Sequence, residues 1–321
     1  MPAPRTLFVK LSSLGDVIHN LPAVSDVHAH RPDVEIGWAV EEPYADLVAL
    51  HPAVSYVLPV GLRGLRGSPF SGKAWRSLRH SLRGVATGRW SHVIDTQGLL
   101  KSALIARRAH APVFGHDKRS AREPLAARFY DVKINVPRDL HAVERNRRVA
   151  AEVFGYGIES AARYGLVAPM SPPPWVPSRQ YVVLLHAASR ADKRWPEERW
   201  IALGRLLDGV GYVSILPGGT EPERAAAARI ASAIPGGMAA PAMALREAAA
   251  LLAHASHVVG VDTGLTHLAV ALARPTVGIY CSTRPELTGL HGATAVSLGG
   301  PRAAPSVEEV AAALQSTPAA A

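Results

Sequence analysis

Short apolar runs alternate with amphipathic stretches along nearly the whole chain. Thr6–Leu11, Val34–Val40, Tyr56–Val60, His92–Asp95 and Val113–Gly115 read as strands in the first half. Tyr181–His186, Val213–Pro217, His257–Val261 and Thr276–Tyr280 read the same way in the second. Between them, helical spacing of apolar positions marks Val17–His30, Ala74–Thr87, Lys101–Arg108 and His141–Phe154. Further helices are predicted over Pro196–Asp208, Pro222–Ile234, Arg246–His254, Leu265–Ala273 and Val307–Gln315. Strands that alternate with helices in this way predict α/β domains, each a doubly wound parallel sheet covered on both faces. The pattern breaks once, at Ala168-Pro-Met-Ser-Pro-Pro-Pro-Trp-Val-Pro-Ser178, a proline-dense stretch suited to a stiff linker. The 321 residues are enough for two cores. The expected organisation is a Rossmann-like domain over 1–170, a linker over 171–178, a second Rossmann-like domain over 179–304, and a helix and tail over 305–321.

Composition narrows the class. Hydrophobic residues make up 48% of the chain, and no uncharged apolar run approaches the roughly 18 residues of a membrane span. Met-Pro-Ala-Pro-Arg5 leads straight into the first strand, which predicts no signal peptide. The single cysteine, Cys281, excludes an internal disulfide and a thiolate zinc cluster, and fits a reducing cytoplasm. The net charge of +9 is uneven. Residues 1–170 hold 23 Lys and Arg against 15 acids, and residues 171–321 hold 12 against 11. No acid lies between Asp46 and Asp95, where Arg63, Arg66, Lys73, Arg76, Arg79, Arg83 and Arg89 fall. The first half therefore faces something anionic: a multiply acidic substrate, a membrane surface or a nucleic acid. Against nucleic acid, the chain has no aromatic-interleaved basic strand and no helix-turn-helix signal.

Two strand ends carry the chemistry. After the first strand comes Lys10-Leu-Ser-Ser-Leu-Gly-Asp-Val-Ile-His19, which places Asp16 at the start of a helix. Ser-Ser-x-Gly-Asp also suits a turn and N-cap. In the second half, His257-Val-Val-Gly-Val-Asp-Thr-Gly-Leu-Thr-His267 repeats the strand-turn-helix device. The unpaired amides of Thr263, Gly264 and Leu265 at a helix N-terminus suit a diphosphate, with Asp262 as a further N-cap candidate. Ser189 and Lys193 in Leu185-His-Ala-Ala-Ser-Arg-Ala-Asp-Lys193 offer phosphate contacts, and Glu223 in Pro217-Gly-Gly-Thr-Glu-Pro-Glu223 can meet ribose hydroxyls. Neither a Walker A sequence nor a complete G-x-G-x-x-G is present.

Taken in order, these segments resemble the lipopolysaccharide heptosyltransferases of glycosyltransferase family 9. Lys10–His19, Asp95-Thr-Gln-Gly-Leu-Leu-Lys-Ser102, His141-Ala-Val-Glu-Arg-Asn146, Asp192-Lys-Arg-Trp-Pro-Glu-Glu198 and Asp262-Thr-Gly-Leu-Thr-His267 carry the likeness. The match is nearest to the members that add the first heptose to Kdo; other positions in the core, or another sugar, are the alternative. The resemblance implies a GT-B fold, two Rossmann-like domains facing each other across a cleft. It further implies ADP-L-glycero-β-D-manno-heptose as donor, Kdo2-lipid A as acceptor, and a place on the cytoplasmic face of the inner membrane. It implies an inverting reaction, for which Asp16 is the candidate general base; no DxD-like metal motif is present, so no obligatory metal or other cofactor is expected. Donor contacts are expected from Ser189, Lys193, Glu223, Met243, Asp262, Thr263, Gly264, Leu265 and His267. Acceptor contacts are expected from Ser13, Gly15, Arg63, Arg66, Lys101, Arg119, Arg122 and Arg145. Helix Ala74–Thr87, with Trp75 and its basic positions, can lie on the leaflet. Ala188-Ser189 departs from the Thr-Thr common in the family, leaving one hydroxyl. Leu14 replaces a common Met, a swap that conserves volume.

Overall fold

The structure is a computed structural model that describes residues 3–62 and 71–317, without the side chains of residues 73–75. The chain divides into two compact units, Met1–Val167 and Ala168–Ala321. The first runs β1 (Arg5–Val9), α1 (Leu14–Ile18), α2 (Leu21–His30), β2 (Glu35–Glu41), α3 (Ala45–Val48), β3 (Val54–Val60) and α4 (Gly72–Thr87). It continues through β4 (His92–Asp95), α5 (Leu100–Arg107), β5 (Val113–His116), β6 (Val132–Ile134) and α6 (Ala142–Phe154). The second runs β7 (Tyr181–Leu185), α7 (Glu197–Gly209), β8 (Val213–Leu216), α8 (Glu221–Ser232), β9 (Met238–Ala239) and α9 (Leu245–Ala253). It ends with β10 (His257–Val261), α10 (Gly264–Ala271), β11 (Thr276–Tyr280), α11 (Pro285–Thr288), β12 (Ala295–Gly299) and α12 (Val307–Ser316).

Both sheets are parallel and six-stranded, ordered β3-β2-β1-β4-β5-β6 and β12-β11-β10-β7-β8-β9. Each reverses its direction of growth between its first and fourth strands, which opens a crevice at the carboxyl ends of β1 and β4 and of β7 and β10. The five residues of β7 are all buried, and Val182 and Leu184 join a core formed with Trp200, Leu203, Ile230, Val310 and Leu314. The C-terminal helix α12 thus completes one face of the second sheet. In the first unit, Leu78 and Val85 of α4 join a core that includes Leu7, Val9 and Val60, and the exposed face of α4 carries Arg76, Arg79 and Arg83.

Two kinds of difference from the sequence pattern have physical causes. The helix expected over Val17–His30 is two helices, because Pro22 has no N–H to offer the carbonyl of Ile18. Asn20 receives the next turn's bonds from Ala23 and Val24 instead. β6, β9 and β12 lie outside the predicted set, and all three are sheet edges. β6 and β9 are only three and two residues long, and β12 is part-exposed along its length, so none carries the continuous apolar run of covered strands.

A buried imidazole sets one pH limit on the first unit. The Ala53 N–H donates to His51 Nδ1 at 3.2 Å, so the ring proton sits on Nε2, 2.9 Å from Ser25 Oγ. Burial, with His28 nearby, lowers the His51 pKa to about 4. The folded value lies below the unfolded one, so the unfolded chain takes up the proton first as pH falls. The stability His51 confers is complete above about 6.5 and is lost on the way to 4. Urea unfolding of the first unit should show wild type losing about 3 kcal/mol more than His51→Gln between pH 7 and pH 4. Equal losses would assign the acid sensitivity elsewhere.

Candidate active site

The chain leaving β1 is held from below by buried polar groups. Lys10 extends Nζ to the Thr96 carbonyl at 2.9 Å and to Asn146 Oδ1 at 3.3 Å. Burial lowers its pKa to about 8. Asn146 in turn donates to the His19 carbonyl at 2.9 Å, tying α6 to the end of α1. A buried pair between Arg147 and Asp26, at 2.7 Å, fixes α6 to α2. From the β4 side, the fully buried Asp95 accepts from the amides of Gln97 and Gly98, from Ser102 Oγ and from Tyr130 Oη. Burial still raises its pKa, against the pull of those four bonds. Gly98 takes φ +67° in this turn, and a Cβ there would sit 3.2 Å from the Arg122 amide nitrogen.

On this base sits Asp16, at the third position of α1. The Ser13 amide and hydroxyl both donate to Asp16 Oδ2, at 3.0 and 3.3 Å. Arg122 approaches the same oxygen at 3.3 Å; its side chain is 64% exposed, so solvent screens the pair. Lys101 donates to Ser12 Oγ and to Glu41 Oε1, both at 3.1 Å. Ser12, Ser13, Asp16, Gln97, Lys101 and Arg122 line one open pocket of about 700 Å³. Two carboxylates, Asp16 and Glu123, and two cations, Lys101 and Arg122, therefore line the same pocket.

The other acceptor candidates are less central. Gly15 lies in α1 beside Asp16 without lining the pocket. Arg119 is exposed and outside it. Arg145 spends Nη2 on the Ser120 carbonyl at 2.6 Å, while its Nε is buried without a hydrogen-bond partner among the described residues. Arg63 and Arg66 fall outside the described residues. Gln97, inside the Asp95–Ser102 segment, also lines the pocket, a placement its sequence neighbours do not signal.

In the second unit the loops after β7, β8 and β10 leave three neighbouring strands on one edge of the sheet. Gly260 lets α10 pack directly on β10: a Cβ there would meet Thr266 Oγ1 at 2.2 Å. Thr266 Oγ1 instead donates to the Val261 carbonyl at 2.7 Å, which anchors the helix start. Thr263 is the N-cap residue of α10, with no side-chain bond to the helix. This corrects the N-cap role considered for Asp262. Asp262 points elsewhere: Lys193 Nζ lies 2.7 Å and Thr283 Oγ1 2.8 Å from its Oδ2, and His267 Nε2 lies 3.6 Å from its Oδ1. Burial opposes its ionisation, but hydrogen bonds from His267, Lys193 and Thr283 outweigh it and hold the carboxylate well below its usual range. The amides of Gly264 and Leu265 belong to the first turn, which has no intrahelical acceptors for them.

Ser189 and Glu223 line a separate cavity of about 430 Å³ with His186, Trp195 and Trp200. Glu223 accepts the amides of Gly219 and Thr220 through Oε2, both at 2.9 Å, which fixes the start of α8. Met243 is half-buried in the loop before α9 and lines neither cavity. The donor candidates thus form two groups, Asp262 with Lys193 and His267, and Ser189 with Glu223. Thr283 was not among them; its partner is 21 residues away, a distance at which sequence spacing is silent. No helix among the described residues is long and apolar enough to cross a membrane.

Known proteins share this fold. The profile of glycosyltransferase family 9 (heptosyltransferase) matches residues 75–315. Lipopolysaccharide heptosyltransferase 1 of Salmonella typhimurium is 41% identical over 290 residues, 90% of this chain and 92% of that one. Its counterpart from Escherichia coli K12 is 39% identical over 93% of this chain and 94% of its own. The solved structure of E. coli heptosyltransferase WaaC with ADP superposes with a TM-score of 0.90 at 35% identity, covering 98% of this chain and all of that one. Two parallel six-stranded α/β units that superpose on that structure make the GT-B fold, and the family match makes the chain a glycosyltransferase. The chain belongs to glycosyltransferase family 9, the heptosyltransferases.

Proposed function

We propose that this enzyme transfers L-glycero-D-manno-heptose from ADP-heptose to the Kdo residue of Kdo2-lipid A in lipopolysaccharide inner-core synthesis. The observation that carries the reading is Asp16, held by Ser13 in a pocket that also presents Lys101 and Arg122, in a member of this family. Support also comes from relatives near 40% identity named lipopolysaccharide heptosyltransferase 1.

In the proposed reaction a Kdo hydroxyl oxygen attacks the anomeric carbon directly. Its bond to that carbon forms as the bond to the ADP oxygen breaks, inverting the centre. Asp16 takes the hydroxyl proton. Aspartate is a weak base toward a sugar alcohol, so the transfer comes late, once the oxygen has begun to bond. The larger demand is the charge on departing ADP. Lys193 and the Thr263, Gly264 and Leu265 amides answer it, with Ser189 as a further donor. Glu223 has one carboxylate oxygen outside its capping bonds for a ribose diol. Arg122 and Lys101 suit Kdo carboxylates and lipid A phosphates, with Arg119 nearby in the chain and Arg145 bonded to the neighbouring Ser120 carbonyl. The enzyme works at the cytoplasmic face of the inner membrane, drawn by the basic first unit. The apolar face of α4 is spent on the core through Leu78 and Val85, so α4 meets a leaflet through charge.

The test is turnover. Purified enzyme with ADP-heptose should release ADP when given Kdo2-lipid A. Release only with an already heptosylated acceptor would move the enzyme to the second heptose and overturn the reading.

A further inference from the structure

The side chain of Gln97 makes two contacts that no other residue in the pocket makes. Its Oε1 accepts the Leu11 amide at 2.6 Å, and its Nε2 donates to the Ser12 carbonyl at 2.6 Å. One planar amide thus grips consecutive backbone groups of the turn that ends at Ser13, the cap on which Asp16 rests. Gln97 itself has little freedom. It is 5% exposed, and its own amide is bonded to the buried Asp95 carboxylate at 2.9 Å. Asp95 is fixed in turn by Ser102 and Tyr130, both at 2.8 Å. A chain of short bonds therefore runs from the interior of the β4 side to the loop that carries the base.

We propose that Gln97 is a positioning residue for Asp16: it sets the backbone of Leu11–Ser13 so that the carboxylate stands ready before acceptor arrives. The argument is one of reach and valence. Asp16 lies on a helix of five residues, too short to hold its own orientation. The Ser13 cap transmits whatever position the preceding turn takes. Besides Gln97, the Glu41 amide donates to the Leu11 carbonyl at 3.0 Å on the strand side of the turn, and Lys101 reaches only the Ser12 hydroxyl, on a side chain still 28% exposed. Positioning within fractions of an ångström is worth large rate factors when the base must meet one proton. The proposal rests on the reading of Asp16 as base, but its structural half can be measured without turnover.

Two substitutions separate the possibilities. Gln97→Met keeps length and volume and removes both bonds; Gln97→Glu keeps the acceptor for Leu11 and removes the donor to Ser12. Hydrogen–deuterium exchange of the segment Leu11–Ile18 should quicken by roughly tenfold or more in Gln97→Met, with β1 itself unchanged. In steady state, kcat should fall by roughly ten- to a hundredfold while the KM values for donor and acceptor stay within about twofold. Gln97→Glu, whose carboxylate faces the Ser12 carbonyl, should show the same split and serves if the Met variant does not fold. Unaltered exchange with unaltered kcat overturns the proposal. A raised acceptor KM at constant kcat also overturns it, since that marks a direct substrate contact. A loss of activity that merely follows a lower unfolding midpoint, with wild-type kcat per folded molecule, does the same. If wild type does not turn over Kdo2-lipid A, the functional reading fails, while the exchange result still decides the clamp.

Discussion

Asp16→Asn should yield a folded protein that binds ADP like wild type and turns over roughly 10²- to 10⁴-fold more slowly. Asparagine is isosteric, and its amide oxygen can still accept the Ser13 N–H that now reaches Asp16 at 3.0 Å. The cap on α1 therefore survives, and with it the pocket. What disappears is the capacity to take a proton, together with the charge opposite Arg122. The nucleotide candidates all belong to the second unit, so ADP affinity by calorimetry should stay within about twofold while single-turnover heptose transfer collapses. A variant that retains close to wild-type turnover would reduce Asp16 to a helix cap.

Lys193→Ala should cost roughly 10²- to 10³-fold in kcat/KM for the donor, the range expected for one preorganised group facing a leaving charge. Here the arrangement adds a second penalty. Lys193 pairs with Asp262 at 2.7 Å, and Asp262 is only 11% exposed. Without the ammonium group, a diphosphate arriving at α10 meets an uncompensated carboxylate as well as losing a cation. Weaker ADP binding by calorimetry should therefore accompany slower turnover. Asp262→Asn in the Lys193→Ala background should restore part of the lost ADP affinity, because the two groups are in contact and their effects do not add. Unchanged ADP binding in Lys193→Ala would remove this lysine from the phosphate site.

How much of this could be read from the chain depended on how local each cause is. Covered strands such as Tyr181–Leu185 and His257–Val261 advertise themselves, because burial on both faces demands an unbroken apolar run. Val132–Ile134 has two exposed positions of three, and Met238–Ala239 is two residues long; nothing in such segments separates strand from loop. Pro22 did carry the signal that splits the first helix, but the apolar spacing ran through it. The same distinction holds at the site. Asp16, Lys101 and the Thr263–Leu265 amides lie in motifs whose chemistry is visible over a few neighbouring residues. The grip of Gln97 on Leu11 and Ser12 spans 85 and more positions, and the Lys193–Asp262 pair spans 69. Only the crossover connections of the sheets bring such partners together, and spacing along the chain says nothing about them.

The shared strand order of the two sheets carries one more consequence. In each half the decisive loops follow the first and fourth strands: Lys10–Ser13 and Asp95–Lys101 in one, His186–Lys193 and Asp262–His267 in the other. No repeat is visible between the halves at the level of residues. The same two addresses hold a carboxylate with guanidinium and ammonium neighbours in the first unit, and a lysine–carboxylate pair, hydroxyls and bare amides in the second. Topology here works like a socket whose contacts are rewired without moving it. A chimaera that swaps whole halves between relatives is therefore the natural way to ask which sugar each socket was wired for.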